Sequence, residues 1–312
     1  MAYKILRKLL FSLDPELSHN LILKGLSAIK PILLEIFNQR RFEKFKFWNL
    51  EFFGRIGLAA GLDKNCDLGS LWGAFGFGFV EIGTVTPLPQ EGNPRPRLFR
   101  IERKMAIINR MGFNNLGVEV IKERLKGDPR LVPIGINLGK NRDTPNERAH
   151  EDYLFTLKEL YDLGDYFVLN VSSPNTPKLR ELQKGENLRV ILSEVWRFRR
   201  FKPYKPILLK LAPEISGEDM EEIARICEEN DIDGVILTNT LKVEGGGLSG
   251  KPLFEISNMR IKEWVKISKI PVIGVGGIFS PDDAEKKVSL GAVLTQVYTG
   301  FVYRGWELFS QP

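Results

Sequence analysis

Eight short apolar runs, each stopping in a cluster of glycines and small polar residues, constrain this chain more than any other feature. They are Ile56–Ala60, Phe79–Ile82, Val132–Ile136, Tyr166–Leu169, Ile207–Leu211, Gly234–Leu237, Pro271–Val275 and Ala292–Val297. Apolar runs of this length bounded by turn residues read as buried strands. Most intervals carry a helical pattern, at Leu116–Leu125, Glu147–Leu163, Leu188–Arg200, Glu218–Glu229, Ile256–Ile267 and Pro281–Leu290. Eight strand–helix units in about 250 residues is the arithmetic of an α/β fold closed as a (β/α)8 TIM barrel. A doubly wound open sheet shares the alternation. It gains no support, because no Gly-x-Gly-x-x-Gly stands between a first run and its helix. Residues 84–110 exceed a normal connection, and a segment of that length on a barrel is expected to act as a lid.

On a barrel the catalytic face lies where the strands end, and here every run ends in polar residues. The fourth does so most densely: Asn170, Ser172, Ser173, Asn175 and Thr176 follow it, stiffened by Pro174 and Pro177. Proline fixes φ and restrains the residue before it, so this stretch is a rigid, amide-rich platform for a planar polar ligand. Asn109, Asn114 and Asn115, around Gly112, suit the same kind of ligand. Lys64 and Lys210 lie at the ends of apolar runs, where an unpaired charge is costly to bury. A ligand anion is their expected partner. Gly276-Gly277, before Ser280-Pro281, and Tyr298-Thr299-Gly300 suit a phosphate held by backbone N–H groups. A sharp strand-to-helix turn uses the same glycines, and at this point both readings stand.

The first 45 residues have another character. Ile5, Leu6, Leu9, Leu10 and Leu13 give a first helix one apolar face. Asp14-Pro15-Glu16 reads as the start of a second helix, with an N-cap, a proline at the first position and an acid in the first turn. The apolar pattern runs on through Pro31, so two helices are expected. Up to residue 46 there are nine basic and four acidic residues, a local +5 out of a net +6. Such a pair either packs on the body of the protein or lies in a membrane interface with its cations towards lipid phosphates. Charge concentration favours the second. No run of about 18 apolar residues appears, so no segment is expected to span a membrane. Two cysteines, Cys66 and Cys227, and two histidines, His19 and His150, make no disulfide framework and no metal-binding spacing.

Ten motifs, in order along the whole chain, resemble the dihydroorotate dehydrogenases of the membrane-associated, quinone-dependent class (class 2). They are Gly57–Lys64 (GLAAGLDK), Glu81–Pro87 (EIGTVTP), Pro96–Arg100 (PRLFR), Asn109–Asn115 (NRMGFNN) and Asn170–Thr176 (NVSSPNT). The other five are Lys210–Pro213 (KLAP), Thr238–Thr240 (TNT), Gly246–Gly250 (GGLSG), Gly274–Gly277 (GVGG) and Tyr298–Gly300 (YTG).

The resemblance implies an FMN flavoprotein oxidoreductase of pyrimidine (UMP) biosynthesis that oxidises (S)-dihydroorotate to orotate and passes electrons to a membrane quinone. It assigns FMN to Ala60, Gly61, Leu62, Asp63, Lys64, Thr84 and Asn137 in the first half of the chain. In the second half it assigns Asn170, Lys210, Thr238, Gly250, Gly277, Tyr298 and Thr299. It assigns the pyrimidine to Lys64, Asn109, Arg110, Met111, Gly112, Phe113, Asn170, Asn175, Asn239 and Thr240. Ser173 falls where the quinone-dependent class has its general base and the soluble classes have cysteine. Thr176 and Phe113 are expected to shape its proton path. His19 and Arg100 match the polar end of the quinone tunnel.

The implied layout is an N-terminal helical segment, 1–45, followed by a catalytic barrel, 46–312. Such a protein is expected as a monomer or weak oligomer on an anionic lipid surface, peripheral to the cytoplasmic face of a bacterial membrane, without a nucleic-acid partner. One departure from the pattern is a short segment between Thr240 and Gly246, which bears on the cover of the flavin. Three rivals are weaker. A tRNA-dihydrouridine synthase usually carries a further RNA-binding domain. A soluble dihydroorotate dehydrogenase would have cysteine at position 173, and a non-catalytic membrane module would not need eight polar strand ends.

Overall fold

The computed structural model describes residues 2–309. All eight expected strands form: β1 Ile56–Leu58, β2 Val80–Val85, β3 Ile134–Leu138, β4 Tyr166–Asn170, β5 Ile207–Leu211, β6 Gly234–Leu237, β7 Val272–Val275 and β8 Ala292–Val297. They close into one barrel in which each strand pairs in parallel with the next and β8 returns to β1, Thr295 facing Ile56 and Val297 facing Leu58.

Alternation along the strands sorts the barrel interior into two layers. The lower one is apolar, built from Phe79, Tyr166, Val168, Leu208, Ile236, Ile273 and Leu294. Gly57 and Gly135 make room for its rings, since a Cβ at either would strike Phe79 or Tyr166. A hairpin, Phe45–Phe47 with Leu50–Phe52, plugs the bottom: Phe52 packs on Phe79, and Trp48 Nε1 donates to the Asp233 carbonyl. Two residues further along, the strands turn polar, with Glu81, Asn137, Asn170, Lys210 and Gln296 all buried. The larger apolar core lies outside, between the barrel and its helices.

Three helices precede the hairpin, where the sequence suggested two: α1 Ala2–Phe11, α2 Pro15–Ala28 and α3 Lys30–Asn38. Asp14 caps α2 as expected, its Oδ1 accepting from the N–H groups of Glu16 and Leu17, both at 2.9 Å. The break between α2 and α3 traces to Pro31, which has no N–H to continue the ladder. Bonding restarts with the N–H groups of Ile32 and Leu33 on the Ile29 carbonyl.

The long 84–110 segment is no structureless loop. Leu98–Ile101 and Ala106–Asn109 pair in it, and Gly246–Gly250 and Leu241–Val243 complete a four-stranded antiparallel sheet over the barrel mouth. Of the outer helices, α4 is Gly117–Lys126, α5 Ala149–Leu160, α6 Gly185–Arg199, α7 Glu218–Glu229, α8 Phe254–Ile267, α9 Pro281–Ser289 and α10 Thr299–Arg304. The hydroxyl of Ser280 caps α9, accepting from the Asp283 N–H at 3.2 Å.

Candidate active site

Where the strands end, beneath the antiparallel sheet, a cleft holds about 1060 Å³ of empty space, open solvent at its mouth included. Ala60, Gly61, Lys64, Thr84, Asn170, Ser173 and Lys210 line one part of it. Asn109, Met111, Gly112, Phe113, Asn175, Asn239 and Thr240 line another, and Thr238, Gly250, Gly277, Tyr298 and Thr299 a third. The structure therefore brings most of the predicted residues to one place.

The cleft floor is a hydrogen-bonded network. Asn170 Nδ2 donates to Thr84 Oγ1 (3.1 Å) and Asn137 Oδ1 (3.0 Å), while Asn239 Nδ2 donates to Asn170 Oδ1 (3.2 Å) and Ser172 Oγ (2.9 Å). Asn175 Nδ2 donates to Asn109 Oδ1 at 2.9 Å, joining the β4 loop to the overlying sheet. Ser173 is 6 % exposed, and its Oγ accepts from the Asn175 N–H at 3.2 Å. Neither histidine completes a serine–histidine pair there, since His19 lines the neighbouring pocket and His150 belongs to α5.

Lys210 has a partner that sequence reasoning overlooked. Its Nζ lies 3.2 Å from Oε1 of Glu81. That carboxylate also accepts from Asn137 Nδ2 at 2.7 Å and, on Oε2, from Gln296 Nε2 at 2.6 Å. A buried acid with three donors is compensated, so Lys210 does not depend on a ligand anion. The available signal was an acid inside an apolar run, Val80-Glu81-Ile82. Lys64 is different: its Nζ donates to the Gly61 carbonyl at 2.7 Å, and no carboxylate stands within ion-pair distance of it among the described residues. Burial, then repulsion from Arg97, lowers its pKa to about 8 despite Glu16 and Asp63.

Four assigned residues do not line the cleft. The guanidinium of Arg110 turns out to the Pro96 carbonyl, at 3.0 and 2.7 Å, and lies over the Phe99 ring, because it follows Asn109 at the end of a strand and points the other way. Asp63 points inward to accept from the N–H groups of Asp67, Leu68 and Gly69 and from Trp72 Nε1, shaping the turn after β1. Leu62 faces the neighbouring pocket, and Asn137 sits in the layer below. Thr176 is buried with its Oγ1 unbonded, outside the lining, and Asn115 braces Thr86 and Phe113 instead of facing a ligand.

That neighbouring pocket, about 690 Å³ with its open mouth, lies under α1 and α2. Tyr3, Leu10, Phe11, Ile22 and Leu23 give it an apolar wall, and it shares Leu98, Ile107 and Tyr298 with the cleft. His19 and Arg100 are both in its lining. Burial, helped by Lys64, pushes the His19 pKa down to about 4, so the imidazole is neutral at ordinary pH. Arg100 donates to the carbonyls of Phe11 (3.2 Å) and Leu13 (3.0 Å) and lies over the Phe11 ring. Among the described residues no group of three metal-ligating side chains occurs.

A TIM barrel with a polar, lysine-bearing mouth beside an apolar side pocket is an enzyme of the class that works at its strand ends. A sequence model of dihydroorotate dehydrogenase matches residues 43–311, and the chain belongs to the dihydroorotate dehydrogenase family. Among curated relatives it is 43% identical to the dihydroorotate dehydrogenase (quinone) of Shewanella loihica, covering 100% of this chain and 97% of that one. It is 46% identical to the protein of the same description from Gloeobacter violaceus, covering 97% and 90%. Among solved structures it resembles Eimeria tenella DHODH in complex with ferulenol, with a TM-score of 0.84 and 33% identity over 95% of this chain and 88% of that one.

Proposed function

We propose that this protein oxidises (S)-dihydroorotate to orotate with FMN as hydride acceptor and a membrane quinone as final electron acceptor, in de novo pyrimidine biosynthesis. The observation that carries this reading is the shared wall of Leu98, Ile107 and Tyr298 between a polar cleft holding Ser173 and Lys64 and an apolar pocket under the N-terminal helices. Two substrates of opposite polarity can then approach one centre from two sides. The quinone-dependent description of the curated relatives supports it.

The cleft residues fit FMN. Gly250 (φ +100°) and Gly277 (φ +74°) line the cleft and pack so closely on neighbouring chain that a Cβ would strike Met105 or Phe254. Their main-chain N–H groups, with Thr299, suit the phosphate, and Lys210, Thr84 and Asn170 suit the polar edge of the ring system. When bound, FMN supplies the hydride acceptor. Lys64 holds the pyrimidine carboxylate. Asn109, Asn175, Asn239 and Thr240 hold its imide edges. Ser173 Oγ would take the proton from C5 while its own hydroxyl proton passes outward, leaving the C6 hydride for the flavin to accept. A serine hydroxyl is a weak base, so this step needs the dry setting that Phe113 helps to provide and an outward path for the proton.

The outer face of the N-terminal segment supports peripheral membrane attachment. Ile5, Leu9, Leu13, Leu17, Leu21, Ile32 and Ile36 are all exposed, and Lys4, Lys8, Lys24 and Lys30 belong to the same three helices. That pattern suits an anionic lipid interface. No described helix is long and apolar enough to cross a membrane.

The test is a visible spectrum of the purified protein, followed by dihydroorotate without air. We expect flavin bands that bleach and are restored by a short-chain quinone but not by fumarate or NAD. Ser173→Ala should keep the bands and bleach about 10²- to 10⁴-fold more slowly. A colourless protein that takes up no FMN would overturn the reading.

A further inference from the structure

Glu16 stands in the first turn of α2, is 7 % exposed and lines neither pocket. Arg97, itself 5 % exposed, grips its carboxylate along one edge, through Nε at 3.0 Å and Nη2 at 2.7 Å, and Arg95 adds an outer contact at 3.1 Å. The other side of the same guanidinium faces the lid segment. Arg97 Nη1 donates to the carbonyls of Glu91 (2.5 Å) and Asn93 (2.9 Å). Asn93 then donates from Nδ2 to the carbonyls of Arg110 (2.9 Å) and Asn175 (3.0 Å), and the Asn175 N–H donates to Ser173 Oγ. An unbroken run of hydrogen bonds thus links a helix over the apolar pocket to the proposed base.

Geometry makes this run stiff. A guanidinium is a planar fork whose donors cannot move independently, so fixing the Nε–Nη2 edge on Glu16 also fixes the direction of Nη1. Burial opposes the charge on Glu16, but the bonds and charge of Arg97 outweigh it and hold its pKa below the ordinary carboxylate value. The pair is therefore ionised at neutral pH, and removing the acid leaves a buried cation to seek other partners.

Resting on the function proposed above, we propose that Glu16 is a positioning residue for the pyrimidine: through Arg97 and Asn93 it sets the Asn175–Ser173 loop, coupling the seating of α2 to substrate binding. Coupling between binding sites is reciprocal. An occupant that tightens α2 against the lid must then also tighten the pyrimidine.

Glu16→Gln tests this, because it keeps the shape and removes the charge. Orotate affinity is measured by calorimetry on flavin-loaded protein. Anaerobic bleaching by dihydroorotate is timed separately from re-oxidation by a short-chain quinone. We expect an orotate Kd weaker by about 5- to 10-fold and slower bleaching, at unchanged flavin content. Unchanged orotate affinity and bleaching, with only the quinone step or vesicle binding altered, would overturn the proposal and leave Glu16 as a staple for α2. Should E16Q fail to hold flavin, Asn93→Ala decides, since it leaves the ion pair intact. It must weaken orotate similarly, and unchanged affinity overturns the proposal. Failure of the underlying function shows separately, as wild-type protein that binds no orotate.

Discussion

Lys64 combines burial with a proposed task that needs charge. Its amine is held at about 8 by burial and by Arg97, well below the usual lysine value. The protonated form that attracts a carboxylate is therefore complete below that pH and lost above it. We expect kcat/KM for dihydroorotate, which reports the free enzyme, to fall as pH rises through about 8. Lys64→Met should abolish that limb and raise KM. A limb that survives in K64M would assign it to another group. Lys64 was legible in the sequence because a charge is out of place beside an apolar run, whereas Ser173 stood out from its polar loop only through the family resemblance. Arg110 and Asp63 misled. Each belongs to a motif whose neighbours line the cleft, but one step along the chain turns a side chain away. Glu81 was missed because it lies inside a run, where a single letter does not reveal three donors gathered from β3, β5 and β8.

At the scale of elements, strands and outer helices were readable because each is a local pattern closed by its own turn residues. The antiparallel sheet over the mouth was not, since it joins 98–109 to 241–250 across more than a hundred residues and its pairing has no local signature. The same sheet explains how the short Thr240–Gly246 segment still covers the cleft: it forms a tight hairpin, Leu241–Val243 against Gly246–Gly250. In α1 the expected single apolar face is divided, and Leu13 falls beyond the helix end at Phe11. Tyr3 and Leu10 pack inward, with the Tyr3 hydroxyl donating to the Val302 carbonyl at 2.6 Å, whereas Ile5 and Leu9 are 71% and 67% exposed. That outward face makes a prediction about attachment alone. Leu9→Glu with Leu21→Glu should weaken binding to anionic vesicles by about 10-fold or more per leucine lost, measured by co-sedimentation. Turnover with a water-soluble quinone should be retained. Equal vesicle binding by the double variant would rule out these helices as the membrane surface.

The whole molecule places a polar storey inside an apolar building. Below Glu81 the barrel is filled by rings and aliphatic chains and plugged by the 45–52 hairpin. Above it, amides, Lys210 and glycine main chain face an open cleft. The lower storey and the outer core give the fold its stability independently of any ligand, so the protein should remain folded without flavin. The upper storey is built for a ligand that binds the folded chain and not the unfolded one. Such a ligand stabilises in proportion to the logarithm of its excess, by about 2.7 kcal/mol at one hundred times its Kd. For a chain of this size that is a shift of roughly several degrees in Tm. We therefore expect removal of FMN to leave the far-ultraviolet circular dichroism unchanged while lowering Tm, and added FMN to restore Tm progressively with concentration. FAD should do so poorly if the cleft ends at the glycines proposed to hold the phosphate, because its adenosine would have to pass Gly277 and Phe254. A Tm indifferent to FMN would mean that the polar storey is satisfied by its own network and that the cleft serves a different ligand. Loss of the circular dichroism signal together with the flavin would instead make the cofactor part of the core.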